Sequence, residues 1–258
     1  MSLSLLKGQK PGYLLLIGLI LVFSIFFAAR TVHLLADPPA DLSWSGGLYG
    51  DEFMYAHNAR NKVLFGKWVT DEWNPYLFNP ILTFFDFASF TILGTGFKAL
   101  RMVPLLWAGL SMILFFWALY FESRSFLWAL LGFCFLEANY FFLMYTRISL
   151  SDAMLTNWMI LSLFLWVLGK RYKVAMFFSA FASVGVFSCK PTAIYFLTIL
   201  FASYVFHFFR EKKMLQDRGG GGFKECLSYG VKKAFPFILG VGVAGLIWLI
   251  VFYIPNHG

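Results

Sequence analysis

The chain has 258 residues, a formal charge of +8, and 60% hydrophobic against only 13% charged residues, with a mean hydropathy of +0.71. Soluble domains carry about a quarter charged residues, so this balance excludes an ordinary soluble enzyme. The positive charge reads as loop charge of a membrane protein rather than as a nucleic-acid footprint.

Seven charge-poor apolar stretches follow one another, at 13–29, 102–121, 126–153 (interrupted), 153–169, 174–189, 191–209 and 234–254. A helix needs about 20 apolar residues to cross a bilayer. Continuous apolar runs, not alternation with period two, favour helices over a barrel. The expectation is an all-α polytopic membrane protein with about seven transmembrane helices. The first stretch follows Lys7 and Lys10 and ends in Phe27-Ala28-Ala29, as a signal peptide would. Its apolar run exceeds the usual signal core of about 7–15 residues, so it is expected to stay as a helix.

With the N-terminus in the cytoplasm, Lys7, Lys10, Arg124, Lys170, Arg171, Lys173 and the cations from Arg210 to Lys233 fall inside. Arg30, Arg60, Lys62, Lys67, Lys98, Arg101, Arg147 and Lys190 stay outside, most of them in one long loop. This bias supports the N-in orientation and puts Asp51-Glu52 and the C-terminus on the extracytoplasmic face.

Residues 36–101 form that first outer loop. Within it, 52–65 has helix-compatible composition, with Phe53, Ala56, Val63 and Leu64 available for one face and His57, Arg60 and Asn61 for another. This predicts a helix lying in the interface. Trp68, Trp73, Tyr76 and Phe78 suit a headgroup-level aromatic belt. Pro75 and Pro80 break the chain before a second short interfacial or re-entrant helix at 81–93, closed by Gly94 and Gly96. Residues 210–233 form a cytoplasmic loop whose Gly219-Gly220-Gly221-Gly222 reads as a linker, since a P-loop needs a Lys-Ser/Thr after it. Cys134, Cys189 and Cys226 show neither paired nor CxxC spacing, which indicates no disulfide framework and no zinc site.

Candidate chemistry gathers on the outer face. Asp51 and Glu52 open the interfacial helix, where acids either complement its positive end or serve as general base or metal ligand. Arg147 and Asp152 share the short outer turn between the third and fourth spans, as an interfacial pair or as part of a site. Lys190 precedes Pro191, a residue suited to a first helical turn, and so sits where an ammonium and backbone N–H groups could hold a phosphate. Snorkelling is the alternative for that lysine. Asp86 and Glu137 are acids without an assigned role, and an intramembrane acid such as Glu137 is by default a functional candidate.

Gly50-Asp51-Glu52-Phe53-Met54-Tyr55, with Ala59-Arg60 and Gly66-Lys67-Trp68, resembles the first outer loop of the C-type membrane glycosyltransferases. The protein O-mannosyltransferase and lipid A aminoarabinose transferase branches are the nearest in pattern. Pro80-Ile81-Leu82, Leu93-Gly94 and Leu100-Arg101-Met102-Val103-Pro104 continue it. The run Thr146-Arg147-Ile148-Ser149-Leu150-Ser151-Asp152 is similar to the second outer loop of the mannosyltransferases, and Ser188-Cys189-Lys190 to the lysine motif that opens their sixth helix.

The resemblance implies an inverting hexosyltransferase moving a sugar from a polyprenyl-phosphate donor to a hydroxyl of a protein, lipid A or a glycan. Asp51 would be the general base, with Glu52 supporting it or contacting the acceptor. Arg147 and Lys190 would bind the donor phosphate. Asp152 would orient Arg147 or hold its loop, and Arg60 and Arg101 would support the site. No obligatory metal is expected; Asp51, Glu52 and Asp152 could hold Mg²⁺ or Mn²⁺ if they converged, but the two cations can replace its charge.

Members of that superfamily normally continue beyond seven helices, so residues 1–258 read as its transmembrane module, either a fragment or one served by a partner subunit. A transporter or lipid-handling protein, with Glu137 and His207 relaying protons, is the alternative function. A donor-binding module without activity is the third.

Overall fold

The computed structural model describes residues 12–35, 48–68, 79–217 and 223–254. Lys7, Lys10, Trp73, Tyr76, Phe78, Gly219 to Gly222 and the side chain of His207 lie outside the described residues. Among the described residues ten helices follow in chain order: α1 Tyr13–Thr31, α2 Leu48–Phe65, α3 Pro80–Leu93, α4 Phe97–Ser123, α5 Phe126–Glu137, α6 Tyr140–Tyr145, α7 Ser151–Gly169, α8 Lys173–Cys189, α9 Ile194–Asp217 and α10 Phe223–Trp248. A 3₁₀ turn, Pro191–Ala193, leads into α9, and a π turn, Leu249–Tyr253, ends α10.

Their boundaries are local chemistry. The Asn79 side chain accepts the Leu82 N–H ahead of Pro80, Ser125 accepts that of Trp128, and Asn139 accepts that of Phe142. Such caps satisfy N–H groups that the first helical turn leaves without partners. Asn139 has a further consequence. It starts a new helix inside the apolar run 126–153, so the expected third span is two helices, α5 and α6, joined at Ala138-Asn139. At 12 residues, α5 reaches about 18 Å, short of the ~30 Å hydrocarbon core.

Among the described residues, four helices are long and apolar enough to cross a membrane: Tyr13–Thr31, Phe97–Ser123, Ser151–Gly169 and Gly230–Val251. Shorter apolar helices occupy Pro80–Leu93, Phe126–Glu137, Lys173–Cys189 and Pro191–Phe206. The outer surface is apolar along these elements, with Leu14, Ile25, Leu106, Phe135, Phe178, Phe201 and Leu246 all exposed. Water does not tolerate so much contiguous hydrocarbon on a monomer, and the chain is an α-helical membrane protein.

Small residues set the packing. α7 and α8 lie in extensive contact, joined by reciprocal bonds in which the Ser162 hydroxyl donates to the Ser179 carbonyl at 2.9 Å and the Ser179 hydroxyl to the Ser162 carbonyl at 2.8 Å. A Cβ added at Gly185 of α8 would stand 2.4 Å from the Trp158 ring of α7. A Cβ at Gly240 of α10 would stand 2.3 Å from the Phe177 carbonyl oxygen of α8. Small side chains and interhelical hydroxyl bonds of this kind join helices where lipid supplies no hydrophobic drive. A second cluster, around Met112, Phe116 and Phe133, packs α1 against α4 and α5 with Phe23 stacked on Phe133 at 4.4 Å.

The turns segregate to two ends. At one end, Lys170 at the close of α7 pairs with Glu122 at the close of α4 at 2.5 Å. At the other lie the end of α1, the interfacial helix α2, the start of α4, the α6–α7 turn and the α8–Pro191 turn, joined by the contacts described next.

Candidate functional site

The two adjacent acids of α2 part company. Successive helical residues point about 100° apart, and Glu52 is fully buried while Asp51 is exposed. The Glu52 carboxylate accepts from Arg101 Nε at 3.1 Å, from Arg101 Nη2 at 2.7 Å and from the Ser149 backbone N–H at 2.8 Å. Arg101 also donates to the Leu34 carbonyl at 2.7 Å and stacks over Phe97, its guanidinium 5.3 Å from the ring centroid. This assembly ties the segment after α1, α2, α4 and the α6–α7 turn together. Of the two roles expected for Glu52, supporting Asp51 or contacting the acceptor, the second is corrected: both oxygens face inward and are already bonded. Arg101 holds that carboxylate through both of its oxygens.

Beside Glu52 lies Asp86 of α3, also fully buried. One of its oxygens accepts from the Ser149 hydroxyl at 3.4 Å; the other has no partner among the described residues. Burial pushes this carboxyl well above the usual value, and the nearby Glu52 charge adds to that effect, against the Ser149 bond.

The exposed side of α2 meets α7 and the α8–Pro191 turn. Asp51 and Tyr55 are one helical turn apart and so share a face. The Ser151 hydroxyl donates to Tyr55 Oη at 3.2 Å. Lys190 Nζ bonds both oxygens of Asp152, at 2.9 and 3.0 Å, and both side chains remain partly open to solvent. The Asp152 bond holds the Lys190 ammonium above its usual range, and the anionic forms of Tyr55 and Asp51 act in the same direction against partial burial. Tyr55, Ser151, Asp152 and Lys190 thus form one polar cluster, supplied by three elements far apart in sequence, with Asp51 within electrostatic reach of its lysine.

Asp152, expected to orient Arg147 or to hold its loop, pairs with Lys190 and not with Arg147, which corrects the first of these roles. Arg147 Nη2 donates instead to the Val32 and His33 carbonyls at 2.7 Å each, where α1 ends. Carbonyls at a helix C-terminus carry partial negative charge that a guanidinium complements. Arg60 lies on the opposite side of α2 from Asp51. Asp51, Glu52 and Asp152 do not converge, because Glu52 turns to Arg101 and Asp152 to Lys190. Among the described residues no three His, Cys, Asp or Glu side chains form a metal-ligand group.

Glu137 also gains a partner. Arg30 Nη2 lies 2.6 Å from its Oε2, with both side chains buried. The same arginine donates from Nε to the Thr146 hydroxyl at 3.0 Å and from Nη1 to the Phe26 carbonyl at 3.1 Å, beneath the Phe142 ring. The pair spans the α5–α6 break and anchors it to α1. No family model matches the chain, and neither does any curated protein or solved structure.

Proposed function

We propose that the chain is an inverting glycosyltransferase of the C-type membrane superfamily, moving a sugar from a polyprenyl-phosphate donor to a hydroxyl at the outer surface. The observation that carries this reading is the cluster that sets an exposed carboxylate, Asp51, within electrostatic reach of a partly exposed ammonium, Lys190. Sugar transfer from a lipid phosphate needs both. A base takes the acceptor proton, and a cation stabilises the phosphate as the bond to the anomeric carbon breaks.

In this mechanism Asp51 accepts the proton of the acceptor hydroxyl. The freed oxygen attacks the anomeric carbon opposite the phosphate, inverting that centre. The bond from this carbon to the phosphate oxygen breaks, and its electron pair leaves with polyprenyl phosphate, whose charge Lys190 meets. Arg147, in the turn before α7, is the second cation offered to the phosphate. Glu52 and Arg101 hold α2 so that Asp51 stays on the cluster. The seven apolar segments would cross the membrane with the N-terminus in the cytoplasm, which puts the cluster on the extracytoplasmic side. The acceptor is a protein, lipid A or glycan hydroxyl. No metal enters, since the two cations supply the charge.

The proton-relay alternative rested on an intramembrane acid without a partner. Glu137 does have one: Arg30 Nη2 lies 2.6 Å from its Oε2, with both side chains buried, so the acid is tied to α1 rather than standing alone along a relay.

The test is turnover of a panel of polyprenyl-phosphate sugars by the purified full chain, beside Asp51→Asn. Release of polyprenyl phosphate from one donor, lost in the variant, is expected. Donor binding without release in the wild type would reduce the protein to a donor-binding module, and neither binding nor release would overturn the reading.

A further inference from the structure

α2 has a second face. Tyr55 points toward α7 with Asp51 one turn before it on the same side, while Phe53, His57, Arg60 and Leu64 follow one another at helical spacing on roughly the opposite side. Between them, Glu52, Ala56 and Ala59 are buried against α3 and α4. The second face closes one side of a chamber of about 500 Å³. Phe90 at the end of α3 and Thr95, Gly96, Phe97 and Leu100 at the start of α4 close the rest.

The lining has two halves. Phe53, Leu64, Phe90 and Phe97 give it aromatic and aliphatic walls, and the first two and Phe97 extend to the exposed surface. His57 and Arg60 supply the polar part. Asn61 Nδ2, 2.9 Å from His57 Nε2, fixes the imidazole. Arg60 is exposed, and none of the ion pairs among the described residues involves it. The chamber adjoins the first turn of α4, whose cap residue Gly96 contributes no side-chain bond; that end of a 27-residue helix adds partial positive charge. An open guanidinium beside greasy walls, at the level where a membrane-length helix begins, matches a molecule with an anionic head and hydrocarbon chains.

We infer that this chamber binds an anionic phospholipid, with its phosphate on Arg60 and its acyl chains against Phe53, Leu64 and Phe97. The site is separate from the Asp51–Lys190 cluster and does not depend on the sugar-transfer reading. It gives α2 a lipid on the face away from that cluster.

The experiment uses the full chain, delipidated in detergent and titrated with phosphatidylglycerol, phosphatidylcholine or inorganic phosphate, with retention read by native mass spectrometry. Wild type should bind phosphatidylglycerol more tightly than phosphatidylcholine. Arg60→Gln should weaken phosphatidylglycerol about tenfold, while Arg171→Gln, in the α7–α8 turn at the other end of the bundle, should leave it unchanged. Because Arg60 is exposed, its variant should melt with wild type, so a loss reports binding rather than folding. Equal binding of the two lipids, or an Arg60→Gln variant as tight as wild type, overturns the proposal. Inorganic phosphate bound as tightly as the lipid overturns it too, by making the chamber a site for free anions.

Discussion

Glu52 and Asp51 make the sharpest test, because adjacent acids on one helix are assigned opposite duties. Glu52 is fully buried and accepts two bonds from Arg101 and one from the Ser149 backbone. Breaking such a buried, hydrogen-bonded pair by removing one partner costs about 3–5 kcal/mol. At about 2–4 °C per kcal/mol for chains of this size, Glu52→Ala should lower the melting temperature by ~6–20 °C. Glu52→Gln, which keeps the shape but not the charge, should fall toward the lower end. Asp51→Asn changes an exposed side chain and should stay within about 0.5 kcal/mol of wild type. Replacing both Glu52 and Arg101 by leucine should recover part of the loss, since an apolar pair leaves no orphaned charge. Thermal unfolding in detergent, followed by tryptophan fluorescence, reads all four variants. The reasoning fails if Glu52→Gln melts with wild type yet loses donor turnover as completely as Asp51→Asn, for Glu52 would then act on substrate.

Two further perturbations probe the same architecture. Asp86 is an acid whose folded form holds its proton more tightly than the unfolded chain does, so stability is fully present below the unfolded value near 3.8 and is lost as pH rises above it. Asp86→Asn should therefore raise the melting temperature by an amount that grows between pH 4 and pH 8, and parallel pH profiles for the two proteins would refute this. Gly240→Ala should destabilise by about 1–3 kcal/mol of overpacking, since its Cβ would meet the Phe177 carbonyl and Ala180. Gly242→Ala, with nothing within 4 Å, should instead be neutral or gain up to ~1 kcal/mol of helix propensity; equal effects at both glycines would mean that α10 does not pack on α8 as described.

The sequence made the helices legible because apolar runs, caps and prolines act locally. Pro80 and Gly94 bracket α3, and the charge-free run 102–121 lies inside α4. The break at Asn139 was readable as well, since an asparagine in an apolar run offers a cap to the next helix, but hydropathy alone merges α5 with α6. The cluster was half legible. Lys190 and Asp152 were found as separate signals, and Tyr55 could have joined Asp51 by its spacing of one turn. Pairing was what the sequence withheld. Asp152 is five residues from Arg147 and 38 from Lys190, yet it bonds the distant one, because the α6–α7 turn carries Arg147 toward the end of α1 while α8 brings Lys190 alongside α7. The same holds for Arg30 and Glu137, joined across 107 positions of chain. Each ion pair answers a requirement that local pattern does not encode: a charge removed from water must find its counter-charge on whichever element packs against it. Glu52 shows the functional consequence. Its motif set it beside Asp51, and its burial gave it to Arg101, so that of the two α2 acids only Asp51 is left exposed on the side of the cluster.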